Sequence, residues 1–202
     1  MISVGDGAQP SARVGLFVDD PNIYVSLKKF FEGLGMPQKR FEPADLYKRA
    51  QALGRVVIAQ AYLTMKSEEQ GEAAATRAGA SGSEAARVTN GFMPVLDSLA
   101  RRYNEAGYTV KVVPPGFSRK DVDTALAVDG VQAVMEGRID LLIIASGDAD
   151  YVPVVDLAHS KGKDVGIAAV DGHCARALRT RANHFLPIPW PDNITAINSE
   201  GL

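Results

Sequence analysis

Four aspartates stand where their type and spacing could do chemistry. Asp19 closes the apolar run Arg13–Asp19 (RVGLFVD), and Asp148 and Asp150 follow the apolar run Ile139–Ala145 directly, in Ser146-Gly-Asp-Ala-Asp150. Asp123 lies in the first turn of a helix expected to start near Lys120. In a parallel α/β sheet the ligand crevice lies outside the carboxyl ends of the strands, at a switch point. Chain tracing therefore allows all four acids to converge. Clustered carboxylates repel one another unless protons or cations compensate. Oxygen ligands without a nearby His or Cys suit Mg²⁺ or Mn²⁺. Such a cradle serves metal-assisted phosphodiester hydrolysis. A plainer role exists for each acid alone: Asp148 or Asp150 as a helix cap, Asp123 as a partner of the helix dipole. Their coincidence favours the functional reading.

The surrounding elements must bring these acids together. Arg13–Asp19, Arg55–Leu63, Tyr108–Val113, Ile139–Ala145 and Val165–Val170 read as strands, with Phe185–Ile188 a possible last one. Helices are expected from Asp20-Pro21 to about Gly33, over Pro43–Leu53, Phe92–Ala106, Lys120–Glu136 and Asp150–Ser160, and over a short Cys174–Ala182. Asp20 before Pro21 reads as the first N-cap. This β-α alternation implies a mostly parallel sheet with helices on both faces. Residues 1–12 read as a mobile leader, 13–188 as the domain, 65–90 as a flexible insert and 189–202 as a tail.

Composition narrows the partners. The 202 residues suit one α/β domain, or at most two small ones, and a single globule of this size buries roughly 70% of its unfolded surface without needing a disulfide or structural metal. A net charge of −2 provides no global basic field, so nucleic-acid binding would need a local patch. The single Cys174 cannot form an intramolecular disulfide and fits a reducing compartment. No apolar run approaches the roughly 20 residues of a membrane span, and Met1–Ala12 lacks a signal-peptide pattern. The expectation is a cytoplasmic protein without membrane contact. His159, His173 and His184 lack zinc-site spacing, and no phosphate-binding GxxxxGK[ST] loop occurs.

Four segments, in order, resemble the NYN domain and its LabA-like bacterial branch, within the PIN-like ribonuclease superfamily. Phe17-Val-Asp-Asp-Pro-Asn22-Ile-Tyr24 resembles the family's F-I-D-x-x-N-L opening. Lys120-Asp-Val-Asp123-Thr-Ala-Leu-Ala-Val-Asp129 resembles its K-x-V-D-x-x-L-x-x-D helix. Ser146-Gly-Asp148-Ala-Asp150-Tyr-Val-Pro153 resembles its S-G-D-S-D-F-x-P motif. Gly162-Lys-Asp-Val165 and Ala182-Asn-His-Phe185 resemble its G-K-x-V strand and closing A-D-x-F segment.

The resemblance implies a PIN-like three-layer α/β/α fold with a central parallel sheet of order 3-2-1-4-5. It implies metal-dependent cleavage of RNA, single-stranded RNA favoured, with Asp19, Asp123, Asp148 and Asp150 as the catalytic acids binding Mg²⁺ or Mn²⁺. By motif position Asn22 would orient Asp19 or touch phosphate, Ser146 would steer substrate or water, and Arg119 and Lys120 would meet phosphate. Asp129 would be a buried structural carboxylate or one that orients the ligands. Hydrolysis would leave 5′-phosphate and 3′-hydroxyl ends. Asn183 departs from the family pattern, standing where an acid is usual. Self-association into a homo-oligomer is left open. Two other classes compete. A haloacid-dehalogenase-type phosphatase needs an acid two residues after its nucleophile, where this chain has Pro21. A catalytically silent RNA-binding or protein-interaction module would keep the fold without the reaction.

Overall fold

The computed structural model describes residues 12–37, 39–64, 96–113 and 121–189. Most of the expected leader, the whole 65–90 insert, the tail from 190, and Arg119 and Lys120 lie outside these residues. So does the expected start of the Phe92 helix.

The strand β1 (Arg13–Asp19) shows why the fold has three layers. Val14, Leu16 and Val18 pack into one apolar cluster and Phe17 into another. Alternate side chains of a strand point to opposite faces, so a strand buried on both needs cover on both. One face is covered by α1 (Asp20–Gly33), α2 (Pro43–Leu53) and α3 (residues 96–105). The other is covered by α4 (Asp121–Met135), α5 (Val152–Ser160) and the one-turn α6 (Arg176–Arg179). Leu126 of α4 is fully buried there, and truncating such a leucine to Ala costs about 2–5 kcal/mol.

The other strands are β2 (Arg55–Thr64), β3 (Thr109–Val113), β4 (Leu141–Ala145), β5 (Asp164–Val170) and β6 (His184–Ile188). They form one sheet of order β3-β2-β1-β4-β5-β6, every neighbouring pair parallel. The expected order 3-2-1-4-5 is present, and β6 extends it. Pairing of β1 with β4 makes the switch point, with Val18 opposite Ala145. Asp19 and Ser146, the next residues along, are thereby brought side by side.

At the opposite end of the sheet, Arg13 clamps Asp140 through Nε and a terminal nitrogen, each at 2.8 Å. These bonds hold the Asp140 carboxyl well below the usual carboxylate range. Asn183, the departure in the closing motif, is structural here. Its backbone N–H donates to the Val165 carbonyl and its Oδ1 accepts from the Val165 N–H, both at 2.8 Å. The chain must therefore have left helix by Asn183, and the expected helix Cys174–Ala182 shrinks to Arg176–Arg179.

Candidate metal centre

Asp19 is 2% exposed at the end of β1. Its Oδ1 accepts from the Asn22 N–H at 3.1 Å. Its Oδ2 accepts from Ser146 Oγ at 3.1 Å and lies 3.2 Å from the Tyr151 hydroxyl. Burial pushes the Asp19 carboxyl up to about 7, the charge of Asp123 adds to this, and the bonds from Asn22, Ser146 and Tyr151 oppose it.

Asp19 is thus the N-cap of α1, the place expected for Asp20. Asp20 is the first residue of α1 and accepts from Tyr103 of α3 at 2.8 Å. The correction has a simple cause. A cap's side-chain oxygen must reach a first-turn N–H, and Asp19 already holds the one at Asn22. Tyr103 is fully buried, and a buried phenol needs an acceptor. Burial also raises Asp20, to about 6, against the Tyr103 bond and the charge of Arg102.

Asp123, Asp148 and Asp150 each offer a carboxylate oxygen, and these oxygens lie within 4.8 Å of one another. Among the described residues this is the group able to hold a metal ion, and Asp19 is not part of it. The structure therefore brings three of the four acids into one cluster. The fourth sits behind Tyr151, whose hydroxyl is 3.2 Å from both Asp19 Oδ2 and Asp123 Oδ1. A phenol has one proton to donate. With both carboxyls ionised one contact goes unsatisfied, so the arrangement favours a proton or a cation between them.

The segment after β4 shapes the cluster. Asp148 caps the 3-10 turn Ala149–Tyr151, accepting from the Asp150 N–H at 3.0 Å. The cap reading and the cluster reading of Asp148 thus hold together. Ser146 is fully buried; its Oγ donates to Asp19 and accepts from the Asp148 N–H at 3.2 Å. Asn22 Oδ1 accepts from the Gly147 N–H at 3.0 Å, tying the start of α1 to this turn.

Gly147 is required by a close approach. A Cβ there would lie 2.4 Å from the His173 carbonyl oxygen, and the Gly147 carbonyl accepts from the Ala175 N–H at 2.9 Å. Gly147→Ala is expected to destabilise the fold by about 1–3 kcal/mol, typical of overpacking. Displacement of Ser146 and Asp148 should lower metal affinity at the same time. Thermal unfolding and Mn²⁺ titration check this, and a variant matching the parent in both would refute it.

Asp129 lies away from the acid trio. It accepts from Tyr62 of β2 and pairs with Lys111 of β3. Cys174 is half-buried.

Sequence reasoning missed two side chains. Tyr151 has no role in the sequence reading beyond its place in the Ser146–Pro153 motif, although a tyrosine where the resembled motif has Phe signals an added hydroxyl. Lys111 was passed over inside an apolar strand. Its charge in TVKVV was the clue, but only strand register shows what it faces.

The donor set is all oxygen, from three carboxylates, which fits a hard divalent cation. No helix of the described residues is long and apolar enough to cross a membrane.

Comparison with known proteins bears on the fold and the family. An uncharacterised protein of the archaeon Methanocaldococcus jannaschii is 31% identical over 74 residues, which is 37% of this chain and 31% of that protein. The match therefore spans about a third of the relative's length. The crystal structure of a Vibrio parahaemolyticus protein of unknown function superposes with a TM-score of 0.63 at 18% identity. That likeness covers 90% of this chain and 95% of the other, and it shows the fold. The profile of the NYN domain matches residues 13–189, spanning every described strand and all the acids above, and the chain belongs to the NYN domain family.

Proposed function

We propose that this protein is a metal-dependent ribonuclease that hydrolyses RNA phosphodiester bonds. The observation that carries the proposal is the carboxylate trio Asp123, Asp148 and Asp150 at the switch point of an NYN domain. A divalent ion, Mg²⁺ or Mn²⁺, supplies two things when bound there: a water of lowered pKa and neutralisation of phosphate charge.

The chain's own residues do the rest. Asp123, Asp148 and Asp150 hold the ion. Asp19, buried behind them, is the fourth acid of the site and shares Tyr151 with Asp123. Ser146 and Asn22 act on position: the first fixes Asp19 and the backbone of Asp148, the second fixes Gly147. Arg119 and Lys120 precede α4 in the sequence and are proposed to meet backbone phosphates. Asp129 orients its neighbours from the far side of Tyr62. Single-stranded RNA is the proposed substrate and the cytoplasm the proposed compartment. The motif set also supports the reading that the chain belongs to the LabA-like branch.

The test is cleavage of end-labelled single-stranded RNA in Mn²⁺, Mg²⁺ or EDTA. Cleavage in metal, none in EDTA, and products with 5′-phosphate ends are expected. Products ending in 2′,3′-cyclic phosphate would overturn the hydrolytic scheme, because they require attack by the RNA 2′-hydroxyl. No cleavage in any metal would move the assignment to a silent binding module.

A further inference from the structure

A straight row of side chains leads away from the acids across the sheet. Asp19 of β1 is in register with Tyr62 of β2, and Tyr62 with Lys111 of β3. Tyr62 packs into the cluster on the α4 face, where Asp129 of α4 meets both Tyr62 and Lys111. The row therefore lies on the face that carries Asp123. Strands are spaced about 4.8 Å apart, which places the Lys111 backbone roughly 10 Å from that of Asp19.

We propose that Lys111, held in place by Asp129, binds a backbone phosphate of the RNA strand whose cleavage is proposed above. The inference rests on the ribonuclease reading and adds a substrate contact on the β3 side of the site. Charge supplies the first reason. A polyanion must approach a cluster of carboxylates on a chain of net charge −2, and a cation on the β3 side aids that approach beside the Arg119 and Lys120 proposed above. Arg179, on the opposite side of the sheet switch, is engaged by Asp171 and stacks on the Phe185 ring at 4.0 Å.

The construction of the site supplies the second. The Lys111 side chain is 38% exposed and that of Asp129 22%. An ammonium carries three N–H donors, so the bond to Asp129 leaves capacity for a phosphate. The Lys111 ammonium also lies 5.8 Å from the centre of the Tyr62 ring. The Tyr62 hydroxyl lies within hydrogen-bond reach of both Asp129 and, at 2.6 Å, Gln60 Oε1, and its one proton goes to the ionised carboxylate as the stronger acceptor. The carboxylate is thus fixed before it orients the lysine. The pair is part-buried and shares Tyr62, so it also braces the sheet, and the phosphate contact is a second role for the same lysine. A lysine pre-set by a buried tyrosine and a helix carboxylate spends less entropy on binding a phosphate.

The test is equilibrium binding of labelled single-stranded RNA across a salt series in Mn²⁺, in an Asp148→Asn background that blocks cleavage. Adding Lys111→Gln keeps a donor for Asp129 and removes the charge. It should weaken binding to every RNA sequence alike. It should also reduce the slope of log affinity against log salt by about 0.7, the value for one single-strand phosphate contact. Lys111→Arg should retain the slope. A slope unchanged in Lys111→Gln and in a second neutral variant, Lys111→Met, overturns the proposal, above all if only the melting temperature falls, which marks a structural staple. Failure of both the Asp148→Asn protein in Mn²⁺ and the parent protein in EDTA to bind RNA would instead reject the ribonuclease reading, and Lys111's role with it.

Discussion

Asp148→Asn is expected to lower metal-dependent RNA cleavage by about 100-fold or more while leaving the fold intact. Both halves follow from the two jobs of one side chain. As a cap, Asp148 needs only an oxygen to accept from the Asp150 N–H, and Asn caps as well as Asp does. As a ligand, it contributes one of three carboxylate charges whose oxygens lie within 4.8 Å of one another. Losing even an outer partner of a metal ligand typically costs about 10–100-fold in affinity or activity, so losing a ligand should cost at least the upper end. The check is cleavage rate against Mn²⁺ concentration beside thermal unfolding in EDTA. Unaltered unfolding with lost cleavage is the expected pair. Retained cleavage would remove Asp148 from the metal site. A large loss of stability would mean that its capping role dominates.

The second large effect runs in opposite directions for stability and function. Asp19→Asn should stabilise the metal-free protein at pH 8 and abolish most of its activity. An ordinary Asp loses its proton near 3.8; burial carries Asp19 to about 7. The folded state therefore holds this proton more tightly than the unfolded chain does. Below about pH 4 the group is neutral in both states and costs nothing. As pH rises from 4 to 7 the unfolded chain gives up its proton first, and stability falls. Above 7 the loss is complete. Each tenfold change in proton affinity is worth about 1.4 kcal/mol, so the loss amounts to roughly 4 kcal/mol.

Asn carries no charge, still offers an acceptor to the Asn22 N–H, and escapes this penalty. A gain of that size corresponds to a rise in Tm of about 8–16 °C at pH 8 in EDTA, with little gain near pH 4. Asp20 titrates in the same range, near 6, but is common to both proteins and cancels in the comparison. Added Mn²⁺ should stabilise both proteins, since a ligand that binds only the folded state raises stability and the acid trio is intact in each. An Asn variant no more stable than the parent at pH 8 would show that Asp19 carries no such burden.

The three layers were legible because their signals are local. Apolar runs such as LLIIA in β4 fit strands buried on both faces, and helices starting with Pro or Asp carry their start signals in a few adjacent residues. The switch point followed from strand order, and it placed Asp19 beside Ser146. What failed was also local but competitive. Asp19 and Asp20 are both good caps, and no sequence rule says that Tyr103, more than 80 residues away, takes one of them. The helix expected over Cys174–Ala182 was cut short by Asn183 pairing with Val165, a contact made only once the sheet forms.

For this protein, then, the sequence by itself determined the element types, the two-sided sheet and which carboxylates lie at strand ends, because period and punctuation act over a few residues. Tertiary structure alone decided that Asp123, Asp148 and Asp150 share one cluster while Asp19 is buried behind Tyr151. It alone aligned Asp19, Tyr62 and Lys111 in a row. The reason is that strand register and burial depend on pairings distant in the chain, and it is these that set the distances between charges and their exposure to water.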